Sequence, residues 1–237
     1  MLPERLKTLL RGPSGAGSGP GSNGATSVPP SFFGNSSSKD KDKESLVQRQ
    51  SRGLEQFFSY IRDQVGLSIL DLSGANQENV NFITSLGHKI YSEDIARGLK
   101  DAFGDENPAE QANPGRIEYF LKQNLDYEEG QFDGVLVWDT LEYMAAPLLA
   151  ATVERLARIV RPKSYLLAFF HVEQKMGAVP RYSFRIHDFK SLVFVDRGQR
   201  VPVQLFNNRS LEKLFGTFES VKFFLTREQL REVIVKR

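Results

Sequence analysis

The stretch SILDLSGANQENVNFITSLGHKIYSEDI, Ser68 to Ile95, decides how the rest of the chain is read. Its first residues, Ser68–Leu72, form a short apolar run of the kind that makes a fully buried strand. A loop with one glycine, Gly74, follows, and then Asn76–Leu86 carries Val80, Ile83 and Leu86 on one face of a helix. After Gly87, Lys89–Glu93 reads as a second strand, closed by the acids Glu93 and Asp94. This is the outline of a β-loop-α-β unit, in which ligands sit at the carboxyl ends of the strands. Such loops normally carry several glycines, because only a residue without Cβ lets the backbone come close to a ligand.

Working outward, the same alternation continues. Upstream, Leu54, Phe57, Phe58, Ile61 and Val65 recur at helical spacing, with Gly66 after them. Downstream, residues 95–116 hold a helical piece and a loose segment, and Arg116–Leu125 fits a strand or a helix equally. Phe132–Trp138 is a buried strand, Pro147–Val160 a helix with proline in its first turn, and Tyr165–His171 another buried strand. Continuous apolar strands separated by helices predict a three-layer α/β domain around a mostly parallel sheet. The character then changes. Tyr182–Ile186, Leu192–Val195 and Val201–Phe206 alternate apolar and polar residues, which predicts an inserted β-hairpin or meander over residues 180–206. A helix near Ser210–Phe215 and an antiparallel pair, Val221–Leu225 with Glu232–Lys236, complete the chain.

Residues 12–43 are dominated by Gly, Ser and Pro and are expected to form a flexible linker, so residues 1–43 are set apart from a folded part, 44–237. Leu6, Leu9 and Leu10 would share a face of a short helix before the linker, and Phe32 and Phe33 are its sticky residues.

Composition excludes several functions. The 237 residues contain no cysteine, which removes disulfides, thiolate metal sites and a cysteine nucleophile, and suits a cytoplasmic protein. Three scattered histidines are not spaced for zinc. The 31 basic and 29 acidic residues are well mixed, which argues against nucleic acid as the main partner. No apolar run is long enough for a membrane span, and the first residues lack the apolar core of an export signal.

With these elements in order, residues 52–237 resemble the class I S-adenosylmethionine-dependent methyltransferases, of the type 11-like kind. "FDGVLVWDTLEYM" looks like that family's fourth strand and following loop, and "LARIVRPKSYLLAFF" is similar to its helix, turn and fifth strand. The resemblance implies a Rossmann-like methyltransferase fold, a seven-stranded sheet with an antiparallel C-terminal edge. It also implies S-adenosylmethionine as cofactor and a methyl acceptor, small molecule or protein. Asp71 falls on the acid that ends the family's first strand, and Ser73, Gly74 and Ala75 fall in its cofactor loop. Asp94, with Glu93 one residue off, falls on the ribose-binding acid, and Asn124 and Leu125 lie near the adenine position.

The loop departs from the pattern: the three family glycines fall on Ser73, Ala75 and Gln77. A side chain at a left-handed position costs about 1–2 kcal/mol, so two such costs weaken binding by one to three decades. The two glycines before the fifth strand have become Lys163 and Ser164, and the adenine-side acid falls on Leu121.

The bland roles stand beside the sharp ones. Asp71 can bond neighbouring loop amides, Asp94 suits a helix N-cap, and Trp138 suits the core. Trp138 and Asp139 nonetheless end a strand at the ligand-binding edge, as does His171, a candidate base. Two functions are weighed: methyl transfer, or a non-catalytic descendant that uses the same surface to bind a partner. A nicotinamide-dependent oxidoreductase is disfavoured because no Gly-x-Gly-x-x-Gly follows the first strand.

Overall fold

The computed structural model describes residues 46–104, 108–172, 177–225 and 230–237. The expected linker and the leucine-bearing segment before it lie outside these residues.

The first described element is a strand, β1 (Leu46–Gln50), followed by helix α1 (Arg52–Ile61). Ser51 caps α1 by accepting the Leu54 amide at 3.0 Å, and Leu54, Phe57, Phe58 and Ile61 are buried. Val65 is 82% exposed, because the helix has ended before it and Gly66, at φ 74°, belongs to the turn into the next strand. Then come β2 (Ser68–Asp71), α2 (Gln77–Ser85), β3 (Lys89–Ser92) and α3 (Ile95–Phe103).

The stretch that fitted either strand or helix is helix α4 (Pro114–Asn124). Asn113 decides this locally: its side chain accepts the amides of Gly115 and Arg116, and Pro114 supplies a helical φ in the first turn. The element order continues with β4 (Phe132–Trp138), α5 (Ala146–Ile159) and β5 (Val160–His171). It closes with β6 (Val179–Asp188), β7 (Ser191–Arg200), α6 (Asn208–Leu214), β8 (Ser220–Leu225) and β9 (Leu230–Lys236).

The main sheet has the order β3-β2-β4-β5-β9-β8. Strands β3, β2, β4 and β5 are parallel, β9 runs antiparallel to β5, and β8 antiparallel to β9. The α/β class and the antiparallel C-terminal pair are as expected. The sheet has six strands among the described residues instead of seven, because 114–124 is helical.

Strand alternation sorts the core into two layers. Leu70, Val135, Val137, Leu166, Ala168 and Phe170 face a cluster shared with α3, α4, α5 and α6. Ile69, Leu136, Trp138, Leu167 and Phe169 face the other, shared with α1, α2 and a second sheet. That second sheet, β1-β7-β6, contains the inserted hairpin. Its third strand is β1, whereas Val201–Phe206, expected as a strand, has no regular structure: Val203 donates its amide to the Glu142 carbonyl at 2.8 Å instead. Among the described residues no helix is long and apolar enough to cross a membrane.

Lys163 sits at φ 69°, the left-handed conformation that glycine tolerates best, at an irregularity early in β5 where the resemblance placed a glycine. Lys163→Gly should therefore stabilise the fold by about 0.5–1 kcal/mol, the strain relieved less the greater freedom of the unfolded chain. Chemical denaturation measures this, and a loss of stability would show that the Lys163 side chain contributes more than its backbone strain costs.

Candidate functional site

The strand ends of β2, β3, β4 and β5 meet at one edge of the sheet, and strand order reverses between β2 and β4, the usual ligand-binding crevice. Asp71 ends β2 but does not face this crevice freely. It is 1% exposed and accepts four bonds: from the Ser73 amide (3.0 Å), the Ser73 hydroxyl (2.8 Å), Asn79 Nδ2 (2.8 Å) and Trp138 Nε1 (2.7 Å). Three of these donors converge on Oδ1 and one, from Asn79, on Oδ2, and burial keeps the group off the cleft lining. Burial pushes its pKa up, and the bonds from Ser73, Asn79 and Trp138 oppose that rise.

Asn79 extends the network to the hairpin. Its Nδ2 also donates to the Phe184 carbonyl (3.3 Å), and its Oδ1 accepts the Ile186 amide (2.8 Å). Strand β6 is an edge strand of the small sheet, so Asn79 satisfies backbone groups that no neighbouring strand takes. Trp138, fully buried at φ 57°, stacks on Phe184 with centroids 5.1 Å apart and planes 3° from parallel. Asp71, Asn79, Trp138 and Phe184 together clamp the hairpin across the carboxyl edge.

The loop after β2 is drawn toward the loop after β3. Gly74, at φ 84°, donates its amide to the Glu93 carbonyl at 3.0 Å, and Ser73 forms an isolated antiparallel bridge with Asp94. Ala75 is exposed beyond this contact. Asp94 is also exposed; one carboxylate oxygen caps α3 through the Arg97 amide (2.9 Å). The Glu93 carboxylate is taken by the Tyr127 hydroxyl. Asn124 bonds the Phe120 carbonyl (2.8 Å) and packs against Gly98 of α3, and Leu125 is core. Neither lines a cavity near the strand ends.

Two adjoining cavities occupy the cleft. One, about 190 Å³, is lined by residues that include Leu72, Ser73, Asp94, Asp139, Tyr143 and Arg181. The other, about 740 Å³, runs on between α3 and the hairpin end, and shares Asp94, Ala96, Leu99, Arg181 and Arg200 with the first. Of the residues expected to contact a cofactor, the structure brings Ser73, Asp94 and Asp139 to this space.

Asp139 is 7% exposed, and its Oδ2 has no hydrogen-bond partner among the described residues. Burial and the neighbouring Glu142 push its carboxyl up to about 7, against the pull of His171 and Arg181. The folded state thus holds a proton that the unfolded chain, near 3.8, has already released. Stability should fall as pH rises from about 4 to about 7. The difference between 3.8 and about 7 corresponds to at most about 4 kcal/mol. Asp139→Asn keeps a polar group in the same dry site and should recover roughly half of that above pH 7.5, with no gain at pH 4. Denaturation curves at the two pH values test it; an equal effect at both would show that the Asp139 charge is not what changes stability.

Behind Asp139, Glu142 is fully buried and accepts the His171 amide (2.6 Å), with His171 Nδ1 at 2.7 Å from its other oxygen. His171 therefore ends β5 paired to a carboxylate and does not line the cleft. Sequence reasoning missed Asn79, Glu142, Tyr143, Arg181 and Arg200. Asn79 had a signal, a polar residue on the inward face of a helix next to Ile83. The arginines had none, since hairpin register alone brings them over the cleft.

No protein-family model matches this chain, and no curated protein matches it in sequence. Solved structures are similar in fold. A methyltransferase dependent on S-adenosylmethionine from Archaeoglobus fulgidus is 14% identical, with 78% of this chain and 91% of that chain covered and a TM-score of 0.48. One from Clostridium acetobutylicum is 10% identical, covering 79% and 92%, with a TM-score of 0.45. The Burkholderia thailandensis 1,6-didemethyltoxoflavin-N1-methyltransferase, solved with 1,6-didemethyltoxoflavin and S-adenosylhomocysteine bound, is 12% identical, covering 77% and 74%, with a TM-score of 0.44.

Proposed function

We propose that the cleft over β2, β3 and β4 binds S-adenosylmethionine and that the chain transfers its methyl group to an acceptor. The observation that carries this reading is the position of Asp94. It stands at the end of β3 with an exposed carboxylate, where the two cavities of about 190 and 740 Å³ join. Sites for ligands of this size usually measure about 300–1,000 Å³, which the joined space meets. One Asp94 oxygen caps α3, and the other is the natural acceptor for a ribose hydroxyl. Glu93 is turned to Tyr127 and is the weaker candidate.

The residues fit such a cofactor in part. Ser73 lines the cleft, Asp139 offers a carboxyl oxygen, and Arg181, Tyr182 and Ser183 of the hairpin line it as well. Asp71, 1% exposed among its donors and absent from the lining of both cavities, does not face a ligand. When bound, the cofactor supplies a methyl group already activated by its sulfonium, so the protein mainly aligns the acceptor.

A second reading is favoured by a specific contact. The Gly74–Glu93 bond and the Ser73–Asp94 bridge close the two loops on each other where a cofactor's polar tail would pass. On that reading the chain is a non-catalytic binding protein built on the same scaffold.

Calorimetric titration with S-adenosylmethionine, S-adenosylhomocysteine and NAD separates the two. Binding of the first two supports methyl transfer, no response at millimolar ligand supports the non-catalytic reading, and a response to NAD alone sinks both. With binding in hand, Asp94→Asn should weaken it by about 1.5–3 kcal/mol, roughly ten- to a hundredfold, while stability stays nearly constant, since asparagine also caps helices well. Binding that survives Asp94→Asn together with Glu93→Gln would place the ribose elsewhere.

A further inference from the structure

The smaller cavity contains polar groups that the cofactor reading does not use. Tyr143 is 4% exposed and lines it, and its hydroxyl has no hydrogen-bond partner among the described residues. A phenol buried in this way normally finds a partner, because an unmet hydroxyl costs free energy. Its pKa is pushed up by burial first and by the nearby Asp139 and Glu142 charges next, so it stays an O–H donor.

Two cations from the hairpin flank Tyr143. The Arg200 guanidinium lies 4.1 Å from the centre of the Tyr143 ring, and Arg181 lies close enough to Asp139 and Tyr143 to favour the charged form of each. Their placement comes from a local irregularity. Pairing between β6 and β7 slips between Pro180 and Tyr182, with the extra residue on β7 at Arg197–Gly198. Gly198 takes φ 89° and donates its amide to the Asp196 carboxylate at 2.7 Å. Bulges re-aim side chains, and here Arg181, Arg197 and Arg200 all line the cavity. Arg185, further along β6, bonds Glu78 at 3.1 Å and does not line the cavity.

We infer that Tyr143, Arg181 and Arg200 form a subsite for a compact oxyanion, a carboxylate or a phosphate carried by the second ligand of the cleft. A guanidinium offers paired N–H donors matched to either group, and the phenol adds a third direction. The cavity, at about 190 Å³, is small for a whole cofactor but holds one such group with room to spare. Asp139, protonated up to about pH 7, does not repel an anion below that pH as an ordinary aspartate would. The inference rests on the methyl-transfer reading only in calling that second ligand the acceptor.

The test is calorimetric titration of the full-length protein at pH 6.5 with inorganic phosphate and, separately, succinate, ionic strength held constant with sodium chloride. Saturable binding of either is expected: phosphate alone assigns a phosphorylated ligand, succinate alone a carboxylic acid, and both the shared oxyanion chemistry. Arg181→Gln should raise Kd roughly ten- to a hundredfold, and Tyr143→Phe roughly two- to tenfold. Tyr143→Phe removes an unpartnered hydroxyl, so a purely structural tyrosine would leave anion binding unchanged and the melting temperature equal or higher. The charge-matched control is Lys122→Ala, at an exposed position of α4. No saturable binding, or an equal loss in Lys122→Ala and Arg181→Gln, overturns the subsite. Repeating the titration with S-adenosylmethionine separates the two readings. Anion binding without cofactor binding sinks methyl transfer and keeps the subsite, and the reverse result sinks the subsite alone.

Discussion

Asp71→Ala should destabilise the protein by about 3–5 kcal/mol and lower its melting temperature by on the order of 10 °C. The carboxylate satisfies two fully buried donors, Asn79 Nδ2 and Trp138 Nε1, and two from Ser73 that are partly buried. Each buried donor left without a partner costs about 1–3 kcal/mol. The loss spreads further, because Trp138 is held at φ 57° by this bond and by its stack on Phe184. Removing a desolvated charge offsets part of the cost. At this chain length each kcal/mol shifts the melting temperature by about 2–4 °C. Asp71→Asn keeps one acceptor oxygen but turns an amide toward donors, and should fall between the wild type and Asp71→Ala. A melting temperature within a degree or two of wild type would mean the clamp contributes little and would return Asp71 to the candidates for ligand binding.

Glu142→Ala is expected to cost a similar amount, about 3–5 kcal/mol, by a different route. Glu142 is fully buried, and its two oxygens serve the His171 amide and imidazole. Breaking a buried pair by deleting one partner leaves the other uncompensated, which is far costlier than never having buried it. Glu142→Gln retains an acceptor for one of the two nitrogens and should lose about half as much. A second readout is local. Glu142 helps hold the Asp139 carboxyl up, so Asp139 should titrate at lower pH in either variant. Carbon-detected NMR of labelled aspartate follows that change. If Asp139 does not move while stability falls, the coupling between the two acids is not the cause of its high value.

Period and composition made the frame of the protein legible. The apolar strands Ser68–Leu72, Phe132–Trp138 and Tyr165–His171 and the helices between them need only local sequence to be recognised, because a buried parallel strand has no polar face to disguise it. The hairpin was legible from alternation and from the turn formers His187-Asp188, whereas Asp196-Arg197-Gly198, which reads as a second turn, is a bulge inside β7. Helix α4 was not, since Ile117, Tyr119 and Leu121 alternate as in a strand while Ile117, Phe120 and Leu121 fit a helix, and the Asn113 cap decides between them. Strand β1 went unseen because its sequence, LVQRQ, has few apolar residues and gains its order by pairing with β7.

The site divides along the same line. That Asp71, Asp94 and Asp139 end strands follows from the sequence, because strand ends follow from the apolar runs before them. What each carboxylate then does was decided by the tertiary structure. Asp71 is consumed by Asn79 and Trp138 because the hairpin must be anchored by buried donors, and those donors need an acceptor that water cannot supply. Asp94 remains at the surface because its neighbours across the loop bond through backbone and leave its side chain only one amide to cap. Asp139 lies beside Tyr143 and Arg181, residues 4 and 42 positions further along the chain, and only the fold brings the more distant one near. Local pattern sets which residues reach an edge of the sheet; which partners they meet there depends on contacts between segments far apart in sequence, and a periodicity of two or 3.6 residues carries no information about those.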